Sequence, residues 1–239
     1  MAVTGGYLAR RVSWQAQAFV RAYGQWVNEH IIPIAEDFDQ RAEQIQEETY
    51  ERLSARVNPE TYSGDGSEFH ESAFNAGLSF YETMSALHQA TLNLFTAGLF
   101  HLIEQQLTDL THDGAIEITV SDTKLSNVTQ YYRDHFRVDL TQFGSWALIE
   151  EMRLVANATK HGEGGSAEEL RRIRPELFRH PALRSEPQTV AHFRLELPLG
   201  GGGLYVRAED FGRYQKAANE LFDFIVEWFS ANHAQYFPS

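Results

Sequence analysis

The segment ALHQATLNLFTAGLFHLI at 86–103 is apolar on nearly every face when it is written as a helix. It lies within 68–110, a run of 43 positions without proline. A helix that is hydrophobic all round belongs in the middle of a bundle, where neighbours cover each face. Gly77 and Gly98 lower the helix propensity of the run, and we interpret them as points where a neighbouring helix approaches closely. The sequence therefore predicts a long central helix over 68–110.

Upstream of this run, the sequence predicts a helix over 13–57 that is interrupted near Pro33. After the proline, one narrow stripe recurs every third or fourth position between charged residues: Ile34, Phe38, Ala42, Ile45, Thr49, Leu53 and Val57. Such a helix packs one seam against a partner and leaves its other faces in water. Packing within the chain is the favoured interpretation, and a coiled-coil or dimer seam is the alternative. A turn is predicted at 60–67 from its Gly, Asp and Ser content.

Downstream of the central run, helices are predicted over 124–136, 145–161 and 208–233. Ser145 is the expected N-cap of the second of these helices, and Gly162 is its expected left-handed stop. The last helix carries an apolar stripe on one face, formed by Phe211, Tyr214, Ala218, Leu221, Ile225 and Trp228. Each of these helices can bury one face against the central helix.

Shorter elements are predicted between these helices. AIEITV at 115–120 alternates like a short strand, and SAEE at 166–169 has the pattern of a capping box that opens a short helix. Four of the seven prolines fall in 174–198, which predicts a connector there. Segments 190–197 and 204–206 flank PLGGGG and could pair as a hairpin.

Together these patterns predict a mainly α fold, a helical bundle with long helices and a small β-hairpin decoration, in one domain over 1–239. Hydrophobic residues at 43% and charged residues at 22% are typical of a globular protein. No apolar run reaches the roughly 18 residues that a membrane span requires, and no leader pattern opens the chain. The chain has no cysteine, which excludes disulfides and thiolate metal sites and fits a reducing cytoplasm.

Charge divides the domain into two unlike halves. Residues 1–123 hold 6 Lys and Arg against 18 Asp and Glu, whereas residues 124–239 hold 14 against 15. The total of −13 argues against broad binding to nucleic acid, because that binding depends on neutralising phosphates. Almost all of the excess lies in the acidic half, so the near-neutral half can still carry one narrow phosphate pocket.

The most informative stretch is IEEMRLVANATKHGEGG at 149–165. On a helix, Arg153, Asn157 and His161 stand at i, i+4 and i+8 and share one face. A guanidinium, an amide and an imidazole in line could clamp a phosphate, position it and transfer a proton, as metal-free cleavage of RNA requires. Lys160, Arg171 and Arg172 lie close in sequence and could add phosphate contacts. The alternative is that a Lys-His-Gly ending only satisfies the carbonyls and dipole of the helix C-terminus.

The segment MRLVANATKHGEGGSAEELRRIRPELF, set in a helical bundle, resembles the signature region of the HEPN superfamily. Asn157 and His161 match the Asn-x-x-x-His part of its motif, but alanine stands at position 156, where the family has arginine. Arg153, one turn earlier on the same face, is the candidate substitute. HEPN proteins are common in bacterial toxin–antitoxin, abortive-infection and anti-phage systems.

The resemblance implies a homodimer in which the motif helices of two subunits meet and form one composite site. It implies RNA cleavage without a metal or cofactor, leaving a 2′,3′-cyclic phosphate. His161 would then transfer protons, Asn157 would orient His161 or the phosphate, and Arg153 would stabilise charge, while an antitoxin is a possible protein partner. The alternative is a non-catalytic HEPN-like dimer that binds a protein or a nucleotide, as family members without the full motif often do.

Two other patterns carry weaker predictions. His101 and Glu104 stand at i and i+3, a spacing that suits a metal pair, with His88 on the same predicted helix. Core side chains satisfied by neighbouring polar groups are the favoured interpretation, because the paired Glu-x-x-His elements of di-metal bundles are absent from the sequence. The four glycines at 200–203 lack any phosphate-loop pattern, so a turn is expected there.

Overall fold

A computed structural model describes residues 3–56, 64–112, 124–183, 195, 198–232 and 235–237. This part of the chain is mainly α-helical. Its α-helices are α1 Gly5–Arg11, α2 Ala18–His30, α3 Phe38–Ser54, α4 Ser67–Asp109, α5 Leu125–Tyr131, α6 Trp146–His161, α7 Gly165–Ile173 and α8 Ala208–Ala231.

Shorter elements connect these helices. Two segments are π-helical, Val12–Gln17 and Tyr132–Phe136. The 3-10 turns are Ile32–Asp37, Leu110–His112, Leu140–Gln142, Pro175–Phe178, Pro181–Leu183 and Pro198–Gly200. Near the termini, β1 Val3–Thr4 pairs antiparallel with β2 Gln235–Phe237.

The central helix is observed as predicted, because α4 runs for 43 residues through the bundle. Its second half is buried on several faces, by side chains that include Leu92, Leu99, Phe100, Ile103 and Leu107. There it packs against α2, α6 and α8, while its first half packs mainly against α3. None of the helices in the described ranges is long and apolar enough to cross a bilayer.

Both glycines of α4 lie at close approaches, as the sequence analysis expected. A Cβ added at Gly77 would lie 2.7 Å from the carbonyl oxygen of Ala42 on α3. A Cβ added at Gly98 would lie 2.3 Å from the hydroxyl of Tyr23 on α2. At both positions, neighbouring elements occupy the space that a side chain would need. The close packing that glycine allows compensates for its low helix propensity.

The predicted helix over 13–57 is correct in its middle and starts earlier than expected, at Gly5. Its interruption at Pro33 is confirmed, because a 3-10 turn over Ile32–Asp37 separates α2 from α3. The stripe on α3 packs against α4 of the same chain, and Phe38 and Thr49 are buried there. The favoured interpretation, packing within the chain, therefore describes this seam.

Predicted helix ends are met in part. Gly162 ends α6 as expected and has a positive φ of +70°, but its ψ of −139° lies outside the left-handed helical region that was predicted. Ser145 lies at the N-cap position, but its hydroxyl donates to Glu220 Oε2 at 3.0 Å and does not cap the helix. The capping box at 166–169 is wrong, because α7 already begins at Gly165 and Ser166 lies inside the helix.

The small β-hairpin is not seen. Residues 204–206 form no strand, because their backbone N–H and carbonyl groups bond to a side chain of α4 and to the 3-10 turn Pro175–Phe178. Asn93 of α4 donates to the Leu204 carbonyl at 2.8 Å and accepts from the Val206 N–H at 3.3 Å. The Tyr205 N–H donates to the Leu177 carbonyl at 2.7 Å. Most of the other proposed strand, and the strand at 115–120, lie outside the described residues.

The glycine run forms a loop that docks on α4. Gly201 has φ of +78°, and a Cβ there would lie 2.0 Å from the carbonyl oxygen of Ala86. The amide of Gln89 donates to the Val206 carbonyl at 2.9 Å and so holds the end of the loop on the same helix. Gly202, by contrast, has no atom within 4 Å of an added Cβ. The glycine loop therefore packs against α4 in addition to forming the expected turn.

We expect Gly201→Ala to lower the free energy of unfolding by at least about 2 kcal/mol, because the new methyl group meets backbone and the backbone conformation is strained for alanine. Gly202→Ala is the matched control in the same loop and should change it by less than about 0.5 kcal/mol. Urea unfolding of both variants checks this. Equal stability of the two variants would contradict the docked position of the loop.

Candidate functional site

Helix α6 presents one polar row and buries most of its other side chains. Its buried residues are Ile149, Glu151, Met152, Leu154, Val155, Ala156, Ala158 and Thr159. Arg153 and Asn157 are half-buried, and His161, the last residue of the helix, is exposed. We call Arg153, Asn157 and His161 the α6 row. It is an accessible edge of a helix that otherwise faces the core.

Arg153 already has a carboxylate partner. Its Nε donates to Glu150 Oε2 at 2.7 Å, and about a third of each side chain or more remains exposed, at 35% and 40%. An exposed pair of this kind contributes little net stability, so a phosphate could exchange with Glu150 at small cost. Lys160 is exposed beside the row and forms no ion pair with any residue in the described ranges.

The two arginines of α7 are committed to other contacts. Arg171 binds both oxygens of Glu163, at 2.9 and 2.8 Å, and its guanidinium lies 4.6 Å from the centre of the Phe178 ring. Glu163 also accepts the Leu195 N–H at 2.7 Å. Arg172 is exposed and pairs with Glu169 at 2.6 Å. Both predicted phosphate ligands are therefore paired with carboxylates. Arg171 is held within the fold, whereas the exposed pair of Arg172 with Glu169 could exchange for a phosphate in the same way as that of Arg153 with Glu150.

Position 156, where the HEPN motif has arginine, points into the core. Ala156 is fully buried, at 0% exposure, between the buried residues Val155 and Ala158. Arg153 and Asn157 flank position 156 around the helix and are partly exposed, so the boundary of the core runs between them and Ala156. An arginine at 156 would enter apolar surroundings. Arg153, which is partly exposed, is therefore the arginine of α6 that can act beside Asn157 and His161.

A buried ion cluster near α6 was not predicted from the sequence. Arg174, which follows α7, donates to Glu151 of α6 and to Asp210 Oδ1 of α8, the latter at 2.6 Å. Tyr214 donates to Glu151 Oε1 at 2.7 Å. We call Glu151, Arg174, Asp210 and Tyr214 the Arg174 cluster. Asp210 is completely buried, and only 11% of the Arg174 side chain is exposed.

Electrostatics keep the buried carboxylate of Asp210 ionised. Burial alone would raise the pKa of Asp210, but hydrogen bonds from Arg207 and Arg174 outweigh burial and lower the pKa to about 2. Because this pKa is below the ordinary value of 3.8, the carboxylate stabilises the fold above about pH 4. That contribution is lost as the pH falls from about 4 to about 2. Burial also raises the pKa of Tyr214, which therefore stays protonated and donates to Glu151.

Local signals for this cluster exist in the sequence. Glu151 stands three residues before Leu154 and four before Val155, on the side of α6 that faces the core. Asp210 directly precedes Phe211 at the start of the stripe on α8. A buried carboxylate needs a cationic partner, but 23 and 36 positions separate Arg174 from Glu151 and Asp210. No local pattern identifies a partner at that distance.

The histidines of α4 bond to protein groups. His101 Nδ1 lies 2.9 Å from Glu104 Oε2, and His88 Nε2 lies 3.0 Å from the Ile31 carbonyl oxygen. His88 is satisfied by a backbone carbonyl, as the favoured interpretation expects, whereas His101 and Glu104 pair with each other and 42% of the His101 side chain is exposed. Within the described ranges, no group of three or more His, Asp or Glu side chains is placed to hold a metal ion.

Comparison of the chain with protein-family models, with curated proteins and with solved structures gives no match.

The burial of position 156 gives a direct test of the motif. We expect Ala156→Arg to lower the free energy of unfolding by about 3 kcal/mol or more, because it places an unpaired charge and excess volume in the core. Ala147→Arg makes the same change at an exposed position of α6 and should cost less than about 0.5 kcal/mol. Denaturant unfolding measures both. A stable Ala156→Arg protein would contradict the inward position of residue 156.

Proposed function

We propose that this chain is a metal-independent endoribonuclease of the toxin or anti-phage type, which cuts RNA at the α6 row. The observation that carries the proposal is the accessibility of Arg153, Asn157 and His161 on a helix whose other side is buried. They lie in the half of the chain whose acidic and basic residues nearly balance. The proposal includes a cytoplasmic location, where RNA is within reach.

The chemistry follows from the three side chains. His161 would accept the proton of a ribose 2′-hydroxyl, and the oxygen would attack the adjacent phosphorus. Arg153 would leave Glu150 and stabilise the negative charge that develops on the phosphate oxygens. Asn157, one turn from each, would orient the phosphate or the imidazole. The bond from phosphorus to the 5′-oxygen breaks, and a 2′,3′-cyclic phosphate remains.

A homodimer would complete the site. Cleavage needs a base for the 2′-hydroxyl and an acid for the leaving 5′-oxygen, but each chain supplies one His161. A two-fold interface brings the same patch of both chains together, so two copies of the α6 row would share one site. An antitoxin or another protein partner could then control activity by covering the row.

A second candidate function is favoured by two specific observations. Ala156 is buried, so this chain cannot place an arginine directly before Asn157 without disturbing the core. Glu163 holds Arg171 in a largely buried ion pair, which removes one of the cations that RNA binding would use. Both observations suit a non-catalytic HEPN-like dimer that binds a protein or a nucleotide through the same surface.

Incubation of the purified chain with mixed RNAs in EDTA distinguishes the two functions. We expect the wild type to cleave RNA under these conditions and His161→Ala to lose at least about 100-fold in rate, because the proton-transfer group is gone. His30→Ala is the matched control, since His30 is also an exposed histidine at the last position of a helix. Gel analysis of product termini should show 2′,3′-cyclic phosphates.

Equal cleavage by His161→Ala and by the His30 control would remove His161 from the mechanism. Light scattering at the assay concentration provides a further check, since a monomer would contradict the composite site. A dimer that cleaves no RNA would favour the non-catalytic function instead.

A further inference from the structure

A cleft of about 710 Å³ lies beside the middle of α4, between the start of α3 and the glycine loop. No residue of the α6 row lines it, so its function is independent of the proposed ribonuclease site. Six of its lining residues have aromatic or ionisable side chains: Phe38, Tyr81, Glu82, His88, His180 and Tyr205.

The walls of the cleft are held in place before any ligand arrives. Gly201 packs its backbone against Ala86, and the buried side chain of Asn93 ties the loop to α4. His88 is fixed by its contact with the Ile31 carbonyl oxygen at 3.0 Å. A cavity whose walls are preformed loses less entropy on binding than one that must first be ordered.

Aromatic rings make up much of the wall. The rings of Phe38 and His88 meet edge to face with centroids 6.0 Å apart, and those of His180 and Tyr205 do so at 5.4 Å. Tyr81 is also part of the lining and is 40% exposed. The faces of such rings are negative, so they attract a cation that lies over them.

Among the described residues that line the cleft, Glu82 is the one that carries a formal charge when the histidines are neutral. None of these described lining residues is a lysine or an arginine, and Arg179, although next to His180 in sequence, is not among them. Glu82 forms no ion pair with any residue of the described ranges. Most of its described lining residues belong to the strongly acidic half of the chain, residues 1–123. A phosphorylated or carboxylated ligand would find no compensating charge among the described lining residues.

We propose that this cleft binds a small organic cation, an ammonium group attached to an apolar or aromatic body. The carboxylate of Glu82 neutralises the ammonium, and the rings of Tyr81, Tyr205 and Phe38 contact it and the apolar body. Aromatic rings beside a carboxylate are a recurrent way to recognise substituted ammonium groups. The volume of about 710 Å³ is within the range of small-molecule sites.

Calorimetry with two probes of similar size and opposite charge tests the proposal. Benzyltrimethylammonium should bind the full chain at one site, and phenylmethanesulfonate should bind at least about tenfold more weakly, because only the first complements Glu82. Equal affinity of the two probes, or no saturable binding of the cation, would overturn the proposal.

Variants of lining residues test whether the cation binds in this cleft. Glu82→Gln should weaken binding of the cation about fivefold at low salt, since it removes the carboxylate and keeps the shape. Glu71→Gln is the matched control, because Glu71 is exposed on the same helix and does not line the cleft. Tyr81→Leu should also weaken binding, since it removes a ring face. Unchanged affinity in both cleft variants would overturn the proposal, and RNA cleavage by these variants bears only on the α6 row.

Discussion

The buried contact of Arg174 with Glu151 and Asp210 is the constraint on which the second half of the molecule depends. Two carboxylates in the core would be strongly unfavourable alone. The guanidinium of Arg174 contacts both of them, and Arg207 also pairs with Asp210. The contact joins α6, the segment after α7, and α8, because each supplies one of the three groups. It thereby fixes which side of α6 faces inward.

That orientation determines what the surface of α6 can do. With Glu151 turned to the core, Ala156 is buried as well, and the α6 row is left at the accessible edge. A rigid, well-packed helix can hold proton-transfer and phosphate-binding groups in fixed positions. The cleft beside α4 lies on other elements and differs in chemistry, since its described lining combines aromatic rings with one carboxylate and holds no lysine or arginine. The two proposals therefore concern two separate surfaces of the chain.

The long helices were predictable from the sequence. Contacts between residues that are far apart in the sequence were not. The proline-free apolar run at 68–110 and the stripe from Phe211 predict α4 and α8 closely, because burial and helical period are local properties. The predicted hairpin is not seen at 204–206, because Asn93, more than 100 positions away, bonds to the Leu204 carbonyl and the Val206 N–H. The positions of the α6 row were predicted from spacing, but the pairing of Arg171 with Glu163 and of Arg174 with Glu151 depends on tertiary contacts.

The most direct test of this account is the free energy of unfolding of Arg174→Met at pH 7, measured beside Arg172→Met. Loss of Arg174 leaves the buried Glu151 without its cation and leaves Asp210 paired with Arg207, so the account predicts a loss of about 3 to 5 kcal/mol. Arg172 pairs with Glu169 at the exposed surface, and its loss should leave the free energy of unfolding nearly unchanged. A loss below about 1 kcal/mol for Arg174→Met would show that this contact does not hold α6 and α8 together.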